Sequence, residues 1–273
     1  MHFYYSGLRD ECDVEILHAA EVTRVLVDPH DLPHAAGFPN VVLDSGAYRA
    51  FKAGKPLDVQ ALIEAASSRQ LDFVVADVFG DAEASWQVYQ SVKKAITGQV
   101  IPVWPWGSAQ ELLTRLLDAS QIVGIGGLVP YLRRSETVGD REVTLAALTE
   151  VVARHPGRFH AFGLCWAKAL DVLWDLLYSA DTSHWLAARR STAMATYVHT
   201  KTGYLQEAPW KSLHASTAVA VAESVRALKT FGPVTWQCSQ CGQPAPHHRM
   251  RLLPSGKRKC PTCGNKIVPE VQP

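Results

Sequence analysis

Two pairs of cysteines and three aspartates carry the spacing in this chain from which chemistry can be read. Cys238-Ser-Gln-Cys241 and Cys260-Pro-Thr-Cys263 are Cys-x-x-Cys knuckles separated by 18 residues. Each knuckle turns two thiolates onto one metal, and two knuckles complete a tetrahedron, the pattern of a structural zinc site. Gly242 and Gly264 directly follow the second cysteine of each pair, where a tight turn favours a residue without a side chain. A shell of four thiolates leaves no open position, so the expected zinc supplies folding free energy and takes no part in catalysis. His247 and His248, in the intervening loop, read as surface residues, and Cys12 and Cys165 have no partner spacing.

The aspartates stand where short apolar runs end. Asp44 closes Val41-Val-Leu and opens Asp44-Ser-Gly-Ala-Tyr-Arg; Asp77 closes Phe73-Val-Val-Ala; Asp181 follows Ser179-Ala and opens Asp181-Thr-Ser-His-Trp. Any one of them can serve as a helix cap. Three converging on one mouth suit a site that moves protons and meets positive charge developing on a sugar. In retaining glycosyl transfer one carboxylate attacks the anomeric carbon while another manages protons. Tyr48, Trp104, Trp106, Trp166 and Trp185 supply flat surfaces able to sandwich a planar base. Gly126-Gly127-Leu128 would let backbone amides approach a ligand closely.

The elements that must position these residues follow from periodicity. Apolar runs without alternation, read as strands buried on both faces, cover His2–Tyr5, Arg24–Val27, Val41–Leu43, Phe73–Ala76, Val100–Trp104, Ile122–Ile125, Phe159–Phe162 and Leu177–Ala180. Helical periodicity marks Leu57–Arg69, Asp81–Thr97, Ala109–Ala119, Asp140–His155 and Lys168–Leu176. Eight strands with intervening helices predict an α/β protein, a compact (β/α)8 TIM barrel whose first connections are short or irregular. A doubly wound sheet lacks its G-x-G-x-x-G turn. The strand ends carry neither a histidine cluster for a metal hydrolase nor a lysine for Schiff-base chemistry. After the eighth strand, 191–203 reads as irregular, Ser212–Lys229 as a helix and Phe231-Gly-Pro as a hinge. The expected division is a barrel over 1–232 and a zinc ribbon over 233–273.

The chain of 273 residues is long enough for a closed core, and no apolar run approaches the ~20 residues of a membrane span. The N-terminus lacks the layout of a secretory signal, so a cytoplasmic protein is expected, in a reducing compartment where cysteines favour metal over disulfide. A net charge of +1 hides an asymmetry. From Trp236 onward six basic residues face one acid, Glu270, a surplus of +5 that leaves −4 on the preceding residues. Such a basic module suggests a polyanionic partner. Arg249, Arg251, Lys257, Arg258 and Lys259 of the ribbon, with Arg189, Arg190 and Lys201 beyond Asp181, are candidate phosphate contacts, with a salt-sensitive affinity.

Over roughly residues 40–200 these motifs resemble the tRNA-guanine transglycosylase superfamily. Asp44-Ser-Gly-Ala-Tyr-Arg resembles its D-S-G-G-F/Y-Q, Leu71–Asp77 its strand-four segment ending in a base-reading aspartate, and Ile125-Gly-Gly-Leu its G-G-L backbone site. Phe159–Gly163 resembles the segment before the last helix, and Asp181-Thr-Ser-His-Trp the archaeal D-S-A-x-Y. The resemblance implies that Asp181 attacks C1′ of the target nucleotide, displaces guanine and holds a covalent glycosyl intermediate. It implies that Asp44 is base toward the incoming heterocycle and acid toward the leaving guanine. Asp77, Trp104 and the Gly126/Gly127 backbone would bind the base, with Tyr48 stacked on its face.

The sequence departs from the family in several places. Arg49 replaces the motif's glutamine, and Val103-Trp-Pro-Trp-Gly107 stands where Q-G-G is expected. The family's C-x-C-x-x-C zinc site is replaced by the four-cysteine ribbon, and these residues contain no counterpart of the archaeal RNA-binding tail. These traits are most similar to the reduced branch, the DpdA-like DNA guanine transglycosylases, which insert 7-deazaguanines such as the 7-cyano form into DNA. The same chemistry on tRNA, a non-catalytic nucleic-acid-binding protein and a base-removing N-glycosidase are the alternatives. A helper ATPase that opens the DNA and an oligomeric form are left open.

Overall fold

A strand covered on both faces needs no polar alternation, and a parallel sheet is stable only when both its faces are covered. The computed structural model describes residues 1–132, 138–190, 195–199, 205–209, 217–230, 236–238, 240–241, 251–252, 258–259, 263 and 267–269. Its strands β1 (His2–Ser6), β2 (Arg24–Val27), β3 (Asn40–Leu43), β4 (Phe73–Ala76), β5 (Val100–Pro105), β6 (Val123–Gly126), β7 (Phe159–Ala161) and β8 (Ser179–Thr182) pair in parallel, in sequence order. β8 returns to β1, with His2 opposite Ser179 and Tyr4 opposite Asp181, and closes the eight-stranded barrel. All eight predicted strands are present. The last is shifted toward the C-terminus, so Asp181 lies within β8 rather than just beyond it.

The helices around the barrel are α1 (Glu11–Ala19), α2 (Ala47–Lys52), α3 (Val59–Ser67), α4 (Ala82–Ala95), α5 (Gln110–Ala119), α6 (Leu128–Leu132), α7 (Val138–Arg154), α8 (Ala167–Leu173) and α9 (Ala187–Arg190). Between β2 and β3 there is only a 3₁₀ turn, Leu32–Ala35, the short connection expected. The first connection is not irregular, because α1 fills it. Its Asp10 N-cap accepts from the Asp13 amide at 3.0 Å, and the helix buries Asp13 and Leu17, four residues apart. One position on its buried face is thus a carboxylate. That carboxylate is tolerable because Arg189, from the far end of the barrel chain, pairs with both Asp13 and Asp10. No local apolar pattern announces such a helix.

Strand alternation sorts the side chains into an inside and an outside. Tyr4, Leu26, Val42, Phe73, Val75, Ile101, Val103 and Ile122 fill the barrel interior. Leu43, Val74, Ala76 and Val100 instead meet Leu62, Tyr89 and Val92 of the surrounding helices. Beyond the barrel, β9 (Ala195–His199) and β10 (Leu205–Pro209) form an antiparallel pair, so part of the stretch expected to be irregular is a strand. Helix α10 (Thr217–Lys229) packs against β9, α9 and α1, and α8 packs against β10. Tyr5 donates to the Val225 carbonyl at 3.2 Å and Tyr197 to that of Cys165 at 2.6 Å, tying these elements to the barrel. In the cysteine region β11 (Trp236–Cys238) pairs with β14 (Ile267–Pro269), and β12 (Arg251–Leu252) with β13 (Arg258–Lys259). Residues 231–233, the expected hinge, and His247 and His248 lie outside the described residues. Among the described residues no helix is long and apolar enough to cross a membrane.

Candidate active site at the barrel mouth

Alternation also decides where the three aspartates point. Asp44 lies two residues after the inward Val42 and Asp77 two after the inward Val75. Asp181 lies two after Ser179, whose hydroxyl meets the buried His160 ring inside the barrel. All three carboxylates therefore project from the C-terminal strand ends into one mouth, the face on which barrel enzymes carry their sites.

Each is anchored by one oxygen. The Gly46 amide donates to Asp44 Oδ1 at 2.7 Å, the Ser45 hydroxyl to Asp77 Oδ1 at 2.5 Å, and the Gly163 amide to Asp181 Oδ1 at 2.9 Å. No hydrogen bond from a described residue reaches the second oxygen of any of the three. The anchors are built into the turns. Gly46 and Gly163 take left-handed backbone, at φ 76° and 63°. A Cβ on Gly163 would come within 2.8 Å of Val129 Cγ2, so glycine is required there twice over. Ser45 Oγ also accepts from the Ala47 amide at 3.1 Å and so starts α2.

Burial sets the protonation of two of these acids. Burial, then the charge of Asp77, push the Asp44 carboxyl up to about 7, with Asp181 and Asp28 adding to the effect and the Gly46 amide opposing it. Burial raises Asp77 as well, opposed by the Ser45 hydroxyl. Asp44 is thus poised to give or take a proton near neutrality.

The rim is aromatic. Tyr48, about half exposed, stands on α2 with its ring 5.3 Å from Phe79, which in turn lies 4.7 Å from Phe51. The Lys52 ammonium is 5.2 Å from the Tyr48 ring. Phe51 stands one helical turn on from Tyr48 in α2, whereas Phe79 joins the rim only because the loops after β3 and β4 are neighbours, which no local motif reveals. Gly126 faces inward beside Val103, where a Cβ would come within 2.9 Å of its Cγ1. Gly127, at φ 75°, carries the backbone out of the strand.

Two predicted aromatic faces are corrected. Trp104 follows the inward Val103 and therefore points out of the barrel. It is buried with Leu113, Leu116 and Leu128 and cannot bind a base in the mouth. Trp185 is fully buried, donating to the Ser6 carbonyl at 3.0 Å, and is core. Trp106, half-buried, packs edge-on against Trp104, and its amide donates to Gly126 O at 2.9 Å. Trp166 caps α8, with the Lys168 ammonium 5.7 Å from its ring.

Arg49, at the position where the resembling motif has glutamine, turns to the neighbouring loop. It pairs with Asp28 at 2.6 Å and with Asp31. The ligand atoms of Asp28, His30 and Asp31 lie within 4.8 Å of one another, a spacing a metal could use. The Arg49 guanidinium already pairs with both carboxylates and offsets one of their two charges, so this cluster reads as an ion-paired loop joint.

One inward residue escaped the sequence reading. His160, in β7, is fully buried, packed edge-to-face with Tyr4, Phe73 and Phe162, and its Nε2 stands 3.4 Å from Asp181 Oδ1. The available signal was a polar side chain in the middle of a buried strand.

Of the cysteines, Cys241 and Cys263 bring the two knuckles together with sulfurs 3.8 Å apart. A disulfide would hold them at about 2 Å. Two thiolates on a tetrahedral zinc with Zn–S near 2.3 Å stand about 3.8 Å apart, so the pair fits that metal. Cys260, Lys201, Arg249 and Lys257 lie outside the described residues, as do the side chains of Cys238, Arg190, Arg251, Arg258 and Lys259. Arg189, expected to meet phosphate, is engaged with Asp10 and Asp13. A surface cavity of about 960 Å3 between the 3₁₀ turn and α3 includes Asn40 and Asp72, at the opposite strand ends, and none of the three mouth acids.

The chain matches no protein-family profile and no curated protein sequence.

Proposed function

We propose that this chain is a DNA guanine transglycosylase, exchanging guanine for a 7-deazaguanine such as the 7-cyano form through a covalent Asp181–glycosyl intermediate. The observation that carries the reading is the convergence of Asp44, Asp77 and Asp181, each with one oxygen restrained and the other open. The open oxygen of Asp181 attacks C1′ of the target nucleotide as the bond from C1′ to guanine N9 breaks. The departing base takes the bond's electrons, and protonated Asp44 supplies the proton that neutralises it. The incoming 7-deazaguanine then yields its N9 proton to ionised Asp44. Its nitrogen attacks C1′ and releases the Asp181 carboxylate, so both aspartates return to their starting states. A carboxyl held near neutrality suits both halves of this exchange.

Asp77 reads the base edge beside the Gly126/Gly127 backbone, and Tyr48 covers the base face. In duplex DNA the target guanosine must be flipped from the stack. Cys238, Cys241, Cys260 and Cys263 would hold a zinc ion that folds the ribbon, whose basic residues then bind phosphate. What favours DNA over tRNA is the sequence itself, with a four-cysteine ribbon in place of the family's own zinc site.

The test is nucleoside mass spectrometry of DNA and tRNA from cells expressing the wild type or Asp181→Asn with a 7-deazaguanine supply. A modified deoxynucleoside that disappears with Asp181→Asn is expected. A modified ribonucleoside alone would move the substrate to tRNA, and modification that survives Asp181→Asn would remove the mechanism.

A further inference from the structure

We infer that His160 is a positioning residue for Asp181, donating from Nε2–H to Oδ1 so that Oδ2 alone is left to attack the sugar; this rests on the proposed covalent role of Asp181. Two contacts fix the ring. Its Nδ1 lies 2.8 Å from Ser179 Oγ, and its Nε2 lies 3.4 Å from Asp181 Oδ1. Ser179 and Asp181 are alternate residues of β8, and His160 stands directly opposite Ser179 across the β7–β8 pairing. The imidazole therefore lies along the strand, with one nitrogen on each side chain.

Ring chemistry determines the hydrogen on Nε2. A lone pair there would face a carboxylate oxygen and be repelled. A serine hydroxyl can donate or accept. Neutral, with Nδ1 accepting from Ser179, or charged, with Nδ1 donating to it, the ring carries a hydrogen on Nε2 in every arrangement that makes both contacts attractive. Nε2 makes no formed hydrogen bond in this structure, Asp181 Oδ1 lying 3.4 Å away outside hydrogen-bond geometry; catalytic contacts that are long or poorly aligned without substrate tighten when it binds. Tyr4, Phe73 and Phe162 pack edge-to-face around the fully buried ring. Water is thus excluded, and a buried polar group left without partners would be costly there.

The consequence is directional. The Gly163 amide donates to Oδ1 at 2.9 Å, and the proposed donation from His160 Nε2–H joins it on the same oxygen from 3.4 Å. A carboxylate that receives both donors on one oxygen cannot rotate without losing both. Its other oxygen is presented to the mouth in one orientation, which is what nucleophilic attack requires.

The test compares His160→Phe, which keeps ring volume without a donor, with His160→Gln, which places an amide N–H near the Nε2 position. Covalent DNA–protein adduct formation in a single turnover would be measured alongside DNA binding and melting temperature. Phe should slow adduct formation roughly 10²-fold at unchanged DNA affinity, and Gln should recover most of the rate. Equal losses for Phe and Gln, or a wild-type rate for Phe, would overturn the inference. The contact itself is read independently by 15N NMR of the imidazole in the wild type and Asp181→Asn. An Nε2–H signal that shifts with the Asn substitution supports it, and a neutral Nδ1–H tautomer overturns it. A wild type that forms no adduct but shows the coupled Nε2–H signal would refute the covalent chemistry and leave the contact standing.

Discussion

Ser45 and Asp77 join two loops through one hydrogen bond: the hydroxyl at the start of α2 donates to Asp77 Oδ1 at 2.5 Å, across the gap between β3 and β4. The same hydroxyl accepts from the Ala47 amide. Turn, helix start and mouth carboxylate are therefore one assembly, and the serine also opposes the rise in Asp77 that burial imposes.

Ser45→Ala should loosen Asp77 and shift it further toward its neutral form. Loss of a hydrogen bond to a charged group corresponds to roughly 1.5–3 kcal/mol, which predicts guanine binding weaker by about 10- to 100-fold. Calorimetric titration of the protein with guanine checks this, and an unchanged affinity would show that Asp77 is oriented by something else.

The acid cluster should make stability depend on pH in a definite sense. Because Asp44 is raised to about 7 in the fold, the native state binds more protons than the unfolded chain between about pH 4 and 7. Stability then falls as pH rises through that window. Asp44→Asn removes the burden. After discounting for solvent at the mouth it should gain on the order of 1–3 kcal/mol at pH 8 and almost nothing at pH 4. Melting curves at the two pH values test the difference, and base exchange should be abolished in the same variant.

At Gly163 the backbone is left-handed and Val129 leaves no room for a methyl group. Gly163→Ala should therefore cost about 1–3 kcal/mol and pull the amide from Asp181. A lower Tm together with loss of covalent adduct is expected. A lower Tm with adduct formation intact would separate the turn from the chemistry.

Arg189 decides between two roles. Removing it leaves the buried Asp13 carboxylate only the Arg9 amide at 3.1 Å and the exposed Arg9 guanidinium at 3.7 Å, a loss of up to about 3–5 kcal/mol at neutral pH that should shrink in acid as Asp13 protonates. Denaturant titration of Arg189→Ala at pH 5 and pH 7 measures this. DNA affinity, taken where the variant is folded, should stay within about twofold; a loss near the 1 kcal/mol or more of a phosphate contact would return Arg189 to the nucleic-acid surface.

For the ribbon, Cys260→Ser should release the bound zinc, read by metal analysis, and weaken DNA binding in low salt more than in high salt. Zinc retained in full would break the four-cysteine assignment.

The sequence by itself determined the barrel, because strands covered on both faces must be continuously apolar, and Val41–Leu43, Phe73–Ala76 and Val100–Trp104 are legible without knowledge of their neighbours. It also marked Asp44, Asp77 and Asp181, since a charged residue ending such a run has few places to go. What only the tertiary structure decided are facts of phase and of long-range pairing. Trp104 faces outward because one residue of alternation separates it from Val103. Helix α1 hid behind a buried Asp13 whose partner, Arg189, lies 176 residues away. Phe79 reaches the Tyr48 rim, and His160 reaches Asp181, only because closing the barrel makes neighbours of loops and strands distant in the chain. Local pattern measures how apolar a segment is; which residues face one another is set by register and closure, which no single segment contains.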